Sequence, residues 1–259
     1  MTNQKEVQTL RISYNQALNA NNYLLKLCPR EEGKTLPRLQ AGQFVQILPP
    51  SGRTLLRRPI SVCHYIEETN ELWLLIAAVG RGTRAITELS VGDSLDVILP
   101  LGNTFNTTNS RRPLLVGGGV GIAPMLALAH KFNEQGIKPN ILLGGRSAEY
   151  ILLLPEFEAL GQVHITTNDG TLGVQGFVTN HPCIQTEDYD SIYTCGPRAM
   201  MKSVALLAEQ RGINCEVSME NMMACGIGAC LCCVEDIHEH GNVCVCTEGP
   251  VFNSKVIKW

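Results

Sequence analysis

The stretch "LLVGGGVGIAPMLALAHKFNEQG" at residues 114–136 says most about the fold of this chain. An apolar run leads into a glycine turn, and an apolar helical stretch follows. This order predicts a strand, a tight turn and a helix, as in nucleotide-binding α/β domains. Gly119 and Gly121 would let the backbone approach a pyrophosphate, and Pro124 suits the first helical turn. A tight strand–helix turn without a ligand is the alternative.

The following residues, 137–217, continue the alternation of strand and helix. Strand-like runs "NILLGG", "VHITTND" and "SIYTCGP" are interleaved with the helical stretches "PEFEALG" and "RAMMKSVALLAEQRG". Such an alternation predicts a parallel sheet. A second turn between strand and helix, "YTCGP" at 193–197, is expected to flank the same crevice as the first, because both would lie at the carboxyl edge of that sheet.

The amino-terminal part of the chain has a different pattern. Six short alternating runs, "VQTLRISY", "YLLKL", "FVQIL", "ISVCHYI", "LWLLIAAV" and "SLDVIL", predict an antiparallel β-barrel. The polar link "NTTNSRRP" at 106–113 is the best candidate for a domain boundary. The fold class is therefore β plus α/β in several domains: a barrel over 1–108, a nucleotide-binding parallel-sheet domain over 109–217, and a small cysteine-rich module over 218–259.

Six of the eleven cysteines lie in that last module, between Cys225 and Cys246. Cys225, Cys230 and Cys233 have the spacing C-x4-C-x2-C, and Cys246 follows, as in plant-type [2Fe–2S] proteins. Gly226 and Gly228 would let the backbone wrap a cluster.

Zinc is the alternative metal, held by Cys230, Cys233, Cys244 and Cys246. This set leaves Cys225 and the two glycines unexplained, whereas the cluster set leaves Cys232 and Cys244 as surplus. His238 and His240 lack the spacing of Rieske ligands and are interpreted as loop residues. Cys28, Cys63, Cys183 and Cys215 are expected to fill the core.

Composition and charge exclude several classes of protein. A net charge of -3 and a pI near 6.1 give no electrostatic footprint for a nucleic acid. No basic amphipathic run suggests a membrane surface, and the longest apolar run, at 72–79, is too short to span a bilayer. The polar start lacks the apolar core of a signal peptide, so we expect a cytoplasmic protein. Clustered thiols in that compartment favour metal binding or redox chemistry over disulfides.

Two further motifs in the barrel region point to a phosphate ligand. "RRPIS" at 57–61 places arginines beside a proline on a strand, where they could hold a diphosphate. "GRGT" at 80–83 precedes the helical stretch "TRAITEL", whose amino-terminus could face the same phosphates. An exposed arginine pair without a ligand is the alternative. We identify no acid–base or nucleophile set, so no catalytic residue is predicted and the chemistry is expected to be electron transfer by cofactors.

The order barrel, "RPIS", "GRGT", "GGGVGIAP" and "CGP" resembles the ferredoxin–NADP reductase superfamily. With "MENMMACGIGACLCCV", "VCTEGPVF" and "NDGTLGVQGFVT", the chain is similar to the electron-transfer subunits of class 1B dihydroorotate dehydrogenase. The resemblance extends over nearly the whole chain, and "MACGIGAC" is its most specific part. It implies FAD, a [2Fe–2S] cluster and NAD as cofactors.

The resemblance also implies roles for individual residues. Cys225, Cys230, Cys233 and Cys246 would bind the cluster, Cys195 would lie near the nicotinamide, and Gly119, Gly121 and Pro124 would form the pyridine-nucleotide turn. The flavin site would comprise Arg58, Pro59, Ile60, Ser61, Leu75, Ile76, Ala77, Gly82 and Thr83. Two positions depart from the pattern of the superfamily: Ile76-Ala77 stands where an aromatic or polar flavin contact is often found, and Cys232 is unusual in a plant-type loop.

Members of this family work with a catalytic FMN subunit that binds dihydroorotate, and electrons pass from FMN through the cluster and FAD to NAD⁺, giving orotate for pyrimidine synthesis. The resemblance therefore implies such a partner, in a heterotetramer of two of each subunit. A related FAD/[2Fe–2S] subunit serving a hydrogenase, a sulfite reductase or ferredoxin is the alternative, and a non-enzymatic zinc nucleotide sensor is a third. The residues do not settle NAD against NADP, since Arg146-Ser147 could serve a 2′-phosphate.

Overall fold

The computed structural model describes residues 5–50, 54–238 and 241–259. The chain forms two compact units. The barrel unit comprises Met1–Thr104, Asn221–Glu235 and Val243–Pro250, and the α/β unit comprises Phe105–Glu220, Asp236–Asn242 and Val251–Trp259. Residues of the cysteine-rich segment thus belong to both units. The three predicted domain ranges, 1–108, 109–217 and 218–259, remain a prediction.

The barrel unit is built on a closed antiparallel barrel with the strand order β1-β2-β5-β4-β3-β6. All six alternating runs form strands, as predicted, because each run has one apolar face to bury. The interior is filled by fully buried aliphatic side chains from every part of the barrel, such as Leu10, Leu27, Ile47, Leu74 and Val97. The elements are β1 (Glu6–Ala17), β2 (Asn22–Pro29), β3 (Phe44–Leu48), β4 (Arg58–Ile66), β5 (Glu71–Ala77), helix α1 (Arg81–Thr87) and β6 (Ser94–Leu101).

Strand β3 is buried on both of its faces. Val45 and Ile47 point into the barrel core, so Phe44 and Gln46 point away from it, and yet both are almost completely buried. Their outer face is covered by the carboxy-terminal residues of the same unit. The side chain of Gln46 lies against Gly226, and Phe44 and Pro250 both lie against Gly102. The part of the cysteine-rich segment that belongs to the barrel unit, Asn221–Glu235 and Val243–Pro250 (the cysteine segment), is therefore packed on the outside of the barrel.

The α/β unit contains a seven-stranded sheet with the order β10-β9-β8-β7-β11-β12-β15, in which β15 is Val251–Asn253. The predicted parallel pairing is confirmed from β10 to β12, and β15 adds an antiparallel edge to β12. The elements are β7 (Pro113–Gly118), α2 (Ile122–Glu134), β8 (Asn140–Gly145), α3 (Leu154–Glu158), β9 (Gln162–Thr167), β10 (Val174–Gln175), α4 (Pro182–Thr186), β11 (Ser191–Cys195), α5 (Arg198–Gln210) and β12 (Asn214–Ser218).

The direction of winding reverses between β7 and β11. The chain runs outward from β7 through β8 and β9 to β10, and then returns to place β11 on the other side of β7. Such a topological switch point leaves a crevice at the carboxyl ends of the two central strands. Both predicted nucleotide turns, after β7 and after β11, lie at this crevice.

The last part of the chain is more regular than its sequence predicts. Strands β13 (Val234–Ile237) and β14 (Gly241–Cys244) form a two-stranded sheet, and α6 (Val245–Glu248) leads into β15 (Val251–Asn253). Hydrogen bonds from Asn103 hold the end of α6 within the barrel unit: the Asn103 N–H donates to the Gly249 carbonyl at 2.7 Å, and the Asn103 side chain donates to the Glu248 carbonyl at 2.9 Å.

Among the residues described, no helix has the length and apolar character needed to cross a membrane.

Candidate functional site

The four predicted cluster ligands converge in the barrel unit. The Gly228 N–H donates to the Cys246 sulfur at 3.2 Å, which joins the cysteine loop (residues 225–233) to the later cysteine. The Cys246 N–H donates in turn to the Cys233 sulfur at 3.4 Å. Cys225 and Cys230 share a hydrogen bond between their side chains. These contacts link Cys246 to Cys233 and to the loop, and Cys225 to Cys230 within the loop, and the four-cysteine ligand set stays a prediction.

Backbone N–H groups around Cys225 favour its charged form. Burial raises the pKa of this thiol, but hydrogen bonds from the Ile227 N–H at 3.4 Å, from the Cys230 thiol and backbone, and from the Ala229 N–H together lower the pKa to about 6. Burial and the hydrogen bond with Cys233 raise the pKa of Cys246 to about 12. A metal site needs deprotonated sulfurs, so the N–H bonds around Cys225 favour the form of this thiol that a cluster would bind.

The backbone of the loop explains the two glycines. Gly226 and Gly228 have φ values of 71° and 85°, in the left-handed region that glycine adopts without strain. Leu231 also has a positive φ, of 57°, and its side chain is exposed. Because this conformation turns N–H groups toward the sulfurs, the loop has both the four-thiolate donor set and the N–H···S bonds that a [2Fe–2S] cluster uses. The residues present fit the cluster.

The remaining cysteines divide into two kinds. Cys244 is half-buried and lies beside the predicted ligand Cys233, and burial and this neighbour both raise the pKa of its thiol. Cys232 is exposed. Cys63, Cys183 and Cys215 are buried, as predicted, but Cys28 is not a core residue. It is half-buried, and its sulfur accepts a hydrogen bond from the Arg11 guanidinium at 3.4 Å, since it lies near the end of β2.

Of the two histidines considered as ligands, His238 is exposed, and His240 lies outside the described residues.

The two predicted phosphate motifs of the barrel meet at Arg58 and Gly82. A carbon added at the Cβ position of Gly82 would lie 2.5 Å from Nε and 2.7 Å from Cζ of Arg58, so the guanidinium rests on that glycine. The two arginines of "RRPIS" have different roles. Arg57 forms an ion pair with Asp96 at 2.5 Å, whereas the Arg58 hydrogen bonds go to the carbonyls of Leu56 and Arg57. Arg58 is thus the arginine with charge left for a ligand.

The other residues predicted for the flavin site have varied surroundings. Pro59, Ile60 and Ser61 follow Arg58 along β4 and are half-buried. Leu75 and Ile76 on β5 are 4% and 0% exposed, and the Ile76 side chain belongs to the barrel core, which leaves only its backbone groups for a ligand. Ala77 at the strand end is half-buried. The Thr83 hydroxyl exchanges hydrogen bonds with the backbone of Gly80 at 3.1 Å, so it closes the first turn of α1.

The pyridine-nucleotide turn is held by direct contact of two backbones. A carbon at the Cβ position of Gly121 would lie 2.5 Å from the carbonyl group of Cys195 and from the nitrogen of Gly196. Gly119 has a φ of 57° and no atom within 4 Å of its Cβ position, which leaves open space beside it. Pro124 is buried in the first turn of α2. The turns after β7 and β11, predicted to flank one crevice, are therefore in contact.

Cys195 is placed at this turn as a packed thiol. It ends β11, it is 7% exposed, and burial raises its pKa to about 12. A thiol with such a pKa keeps its proton at neutral pH and is a poor nucleophile. Any role of Cys195 toward a nicotinamide is consequently one of shape and contact.

A second group of residues of metal-ligating type lies in the α/β unit, but its hydrogen bonds do not suit a metal ion. The ligand atoms of His164, His181 and Cys183 lie within 4.8 Å of one another. However, Nδ1 of His181 accepts a hydrogen bond from the Cys183 N–H at 3.1 Å, so Nε2 of the neutral ring carries the proton and offers no lone pair. Burial also raises the pKa of the Cys183 thiol to about 11. The local bonding therefore works against a metal ion here.

Comparison with known proteins agrees with this division of the chain. Residues 220–258 match the family model of the iron-sulfur cluster binding domain of dihydroorotate dehydrogenase B, and residues 115–205 match that of the oxidoreductase NAD-binding domain. The dihydroorotate dehydrogenase B (NAD(+)) electron transfer subunit of Listeria monocytogenes serovar 1/2a is 39% identical over 234 residues, covering 87% of this chain and 90% of that protein. The protein of the same name from Streptococcus pneumoniae serotype 4 is 36% identical over 87% of this chain and 92% of its own length.

Solved structures support the same architecture. A chain of the NADH-dependent reduced ferredoxin-NADP oxidoreductase superimposes with a TM-score of 0.86 at 28% identity, covering 96% of this chain and 90% of that one. Phthalate dioxygenase reductase, at 18% identity, shares the fold with a TM-score of 0.69 over 93% of this chain and 94% of its own.

Together these findings identify an NAD-linked oxidoreductase subunit with FAD, a [2Fe–2S] cluster and NAD as cofactors. The iron–sulfur match replaces the zinc alternative. The chain belongs to the family of electron transfer subunits of NAD-dependent dihydroorotate dehydrogenase B.

Proposed function

We propose that this chain carries electrons from the FMN of a catalytic subunit, through a [2Fe–2S] cluster held by Cys225, Cys230, Cys233 and Cys246, and through FAD, to NAD⁺. The overall reaction is the oxidation of dihydroorotate to orotate, a loss of two electrons and two protons, and NAD⁺ takes up a hydride. The observation that supports the ligand set best is the convergence of N–H groups and thiols at Cys246, where Gly228 donates to the sulfur. A bound flavin supplies the exchange between hydride transfer and single-electron transfer.

The residues of the chain would bind and orient these groups. Arg58 lies against Gly82 with its guanidinium charge available, which suits the diphosphate of FAD. Pro59, Ile60, Ser61, Leu75, Ile76, Ala77 and Thr83 would complete the flavin site, with Ile76 contributing through its backbone. Gly119, Gly121 and Pro124 would meet the NAD diphosphate at the switch point, with Cys195 beside the nicotinamide.

The cysteine segment also offers an apolar surface for the partner. Met222, Ile227 and Leu231 are 83%, 51% and 66% exposed on it. Exposed apolar side chains close to a redox centre suit docking to another subunit, because electron transfer requires a close approach. The relatives are named electron transfer subunits, which supports a catalytic partner, and we propose two copies of each chain in the complex. Val251 and Phe252 are only 5% and 9% exposed and serve packing instead.

The first experiment tests the ligand set by single substitutions. Cys225→Ser and Cys246→Ser are purified anaerobically, and iron, acid-labile sulfide, zinc and flavin are assayed. We expect both variants to lose most of the iron and sulfide while FAD and its reduction by NADH remain. Cys28→Ser is the matched control, because that half-buried cysteine lies on β2, and it should keep a full cluster. Full iron in Cys246→Ser would contradict the assignment.

A second experiment tests the partner. The chain is co-expressed with an FMN-containing dihydroorotate-oxidising subunit, and the complex is purified and assayed for orotate and NADH. The 28% identical ferredoxin-NADP oxidoreductase chain favours one alternative, a subunit serving ferredoxin. Reduction of ferredoxin by NADH, without complex formation or orotate production, would support that alternative over ours.

A further inference from the structure

Gln46 is an unusual residue for the outer face of a barrel strand. It is 0% exposed, and neither its side-chain oxygen nor its side-chain nitrogen has a hydrogen-bond partner within the described residues. Its backbone carbonyl is used, since it accepts from the Arg57 guanidinium at 3.3 Å. A buried amide without hydrogen-bond partners is unfavourable and rare in folded proteins, so a partner outside the protein chain is expected.

The position of the amide indicates what that partner is. Val45 and Ile47 face the barrel core, so Gln46 faces the cysteine segment on the other side of β3. A carbon at the Cβ position of Gly226 would lie 2.9 Å from Cγ, 3.0 Å from Nε2 and 3.2 Å from Cδ of Gln46. The amide is thus packed flat against the residue that follows Cys225. Glycine at 226 is required both by its φ of 71° and by this contact.

The nitrogen of the Gln46 amide, not its oxygen, is the atom that suits the sulfurs of the loop. The sulfurs of a four-thiolate iron site are hydrogen-bond acceptors with negative charge, and the glutamine nitrogen carries two donor protons. The N–H groups of Ile227 and Gly228 already donate to cysteine sulfurs from the loop itself. An amide on the barrel side would add a donor that the loop backbone does not supply.

We propose that the Nε2 group of Gln46 donates a hydrogen bond to a sulfur of the [2Fe–2S] site, and that it fixes the cluster loop on β3 and raises the reduction potential of the cluster. Gln46 is a positioning residue in this proposal, which rests on the proposed ligand set. The reduced cluster carries one more negative charge than the oxidised one. An N–H donor therefore stabilises the reduced form more, and removing the donor makes reduction harder.

The test replaces the amide and follows the cluster, not turnover. Gln46→Leu and Gln46→Met are purified anaerobically, and iron, sulfide and FAD are measured per chain. The midpoint potential and g-values of the reduced cluster are then obtained by redox titration with electron paramagnetic resonance. We expect a loaded cluster with a more negative potential and shifted g-values. The FAD potential in the same sample should not change.

A matched control separates this role from barrel packing. Gln8 is also a buried barrel glutamine, 2% exposed, and its amide nitrogen donates to Glu6 and to the Thr35 carbonyl, away from the cysteine segment. Gln8→Leu should lower stability without moving the cluster potential. Pulsed electron paramagnetic resonance on protein labelled with ¹⁵N in its glutamine side chains adds a direct readout. We expect a hyperfine coupling between a glutamine nitrogen and the reduced cluster, and this coupling should be lost in Gln46→Met.

The outcomes are distinct. An unchanged potential and no nitrogen coupling, in a variant with full iron, would overturn the role of Gln46 and leave the ligand set intact. If Gln46→Leu does not load iron, the same comparison in Gln46→Met and the nitrogen coupling in the unsubstituted protein decide the question. Absence of stoichiometric iron and sulfide in the unsubstituted protein would instead contradict the ligand set itself.

Discussion

The cysteine loop of the barrel unit and the glycine turn of the α/β unit contain similar residues, but different forces hold them. The turn lies between β7, whose Leu115 and Val116 are fully buried, and the buried start of α2. The loop exposes Cys230 and Leu231, and its hydrogen bonds end on cysteine sulfurs. The nucleotide turn is therefore preformed by packing, whereas the loop depends on the chemistry of its thiols.

This difference explains how the two regions can serve different ligands. A diphosphate binds and leaves in every turnover, so its site gains from a backbone that keeps its shape when empty. A cluster stays bound, and its binding energy can contribute to the stability of the loop that holds it. The predictions below test whether each region fails in the way that this account requires.

The largest effect is expected from Gly121→Ala. The added carbon would lie 2.5 Å from the backbone of Cys195 and Gly196, neither of which can move without displacing β11. Overpacking of this kind costs about 1–3 kcal/mol in stability, and a displaced turn should slow flavin reduction by NADH about 100-fold. Stopped-flow measurement of flavin bleaching tests the rate, while iron and sulfide should remain at full content.

The control for this substitution is Gly136→Asn, just beyond the end of α2. Gly136 has a φ of 75°, which asparagine tolerates, and no atom lies within 4 Å of its Cβ position. The rate of flavin reduction should therefore stay close to that of the unsubstituted protein. An unchanged rate in Gly121→Ala as well would show that NAD does not bind at this turn.

An intermediate effect is expected when the cluster is removed. Anaerobic removal of the iron with a chelator should destabilise the cysteine loop. The backbone amides of residues 225–233 should then exchange hydrogen at least about tenfold faster. Amides of β7, β11 and β12 should keep their protection, because those strands are held by parallel pairing and buried apolar side chains. Hydrogen exchange with mass spectrometry, before and after reconstitution, measures both sets. Loss of protection in the central strands would contradict the independence of the two regions.

Local pattern was sufficient to predict most of the architecture. The barrel strands and the α/β alternation were confirmed because each has a strong periodicity of its own. The iron–sulfur domain could be predicted because the spacing of its cysteines is a local property, while Cys246 as the fourth ligand stays a prediction. In contrast, β15 has three residues, and its place beside β12 is set by tertiary pairing that no short pattern encodes.

The site residues show the same limit. The family resemblance selects Arg58 over Arg57, but local pattern alone could not, because the physical distinction is an ion pair of Arg57 with Asp96 on another strand. Nor could it find Gln46, whose alternation on β3 suggests an exposed position. Only the cysteine segment packed on that face makes it buried, and a polar residue inside an otherwise apolar strand was the signal available.

The smallest effect is expected from Asp190→Asn in the α/β unit. The carboxylate accepts hydrogen bonds from the backbone N–H groups of Arg111 and Arg112 at 2.7 and 2.8 Å and from the Ser110 hydroxyl at 3.2 Å. Burial works against its charge, but these bonds outweigh burial and lower the pKa of Asp190. Asparagine keeps the shape and loses the charge, so we expect a loss of about 1–2 kcal/mol in urea denaturation at neutral pH.

The stability that the Asp190 carboxylate contributes should also depend on pH. A depressed pKa stabilises the folded state above the unfolded pKa of about 3.9, and the contribution is lost as the pH falls through the folded-state pKa. The difference between Asp190→Asn and the unsubstituted protein should thus be constant from about pH 8 to pH 5 and shrink below about pH 4. Asp188→Asn is the control, since its ion pair with Arg112 has a carboxylate that is 81% exposed and should contribute less than about 1 kcal/mol. If Asp190→Asn also lowered the cluster content, the α/β unit and the cysteine loop would be coupled more tightly than their separate bonding indicates.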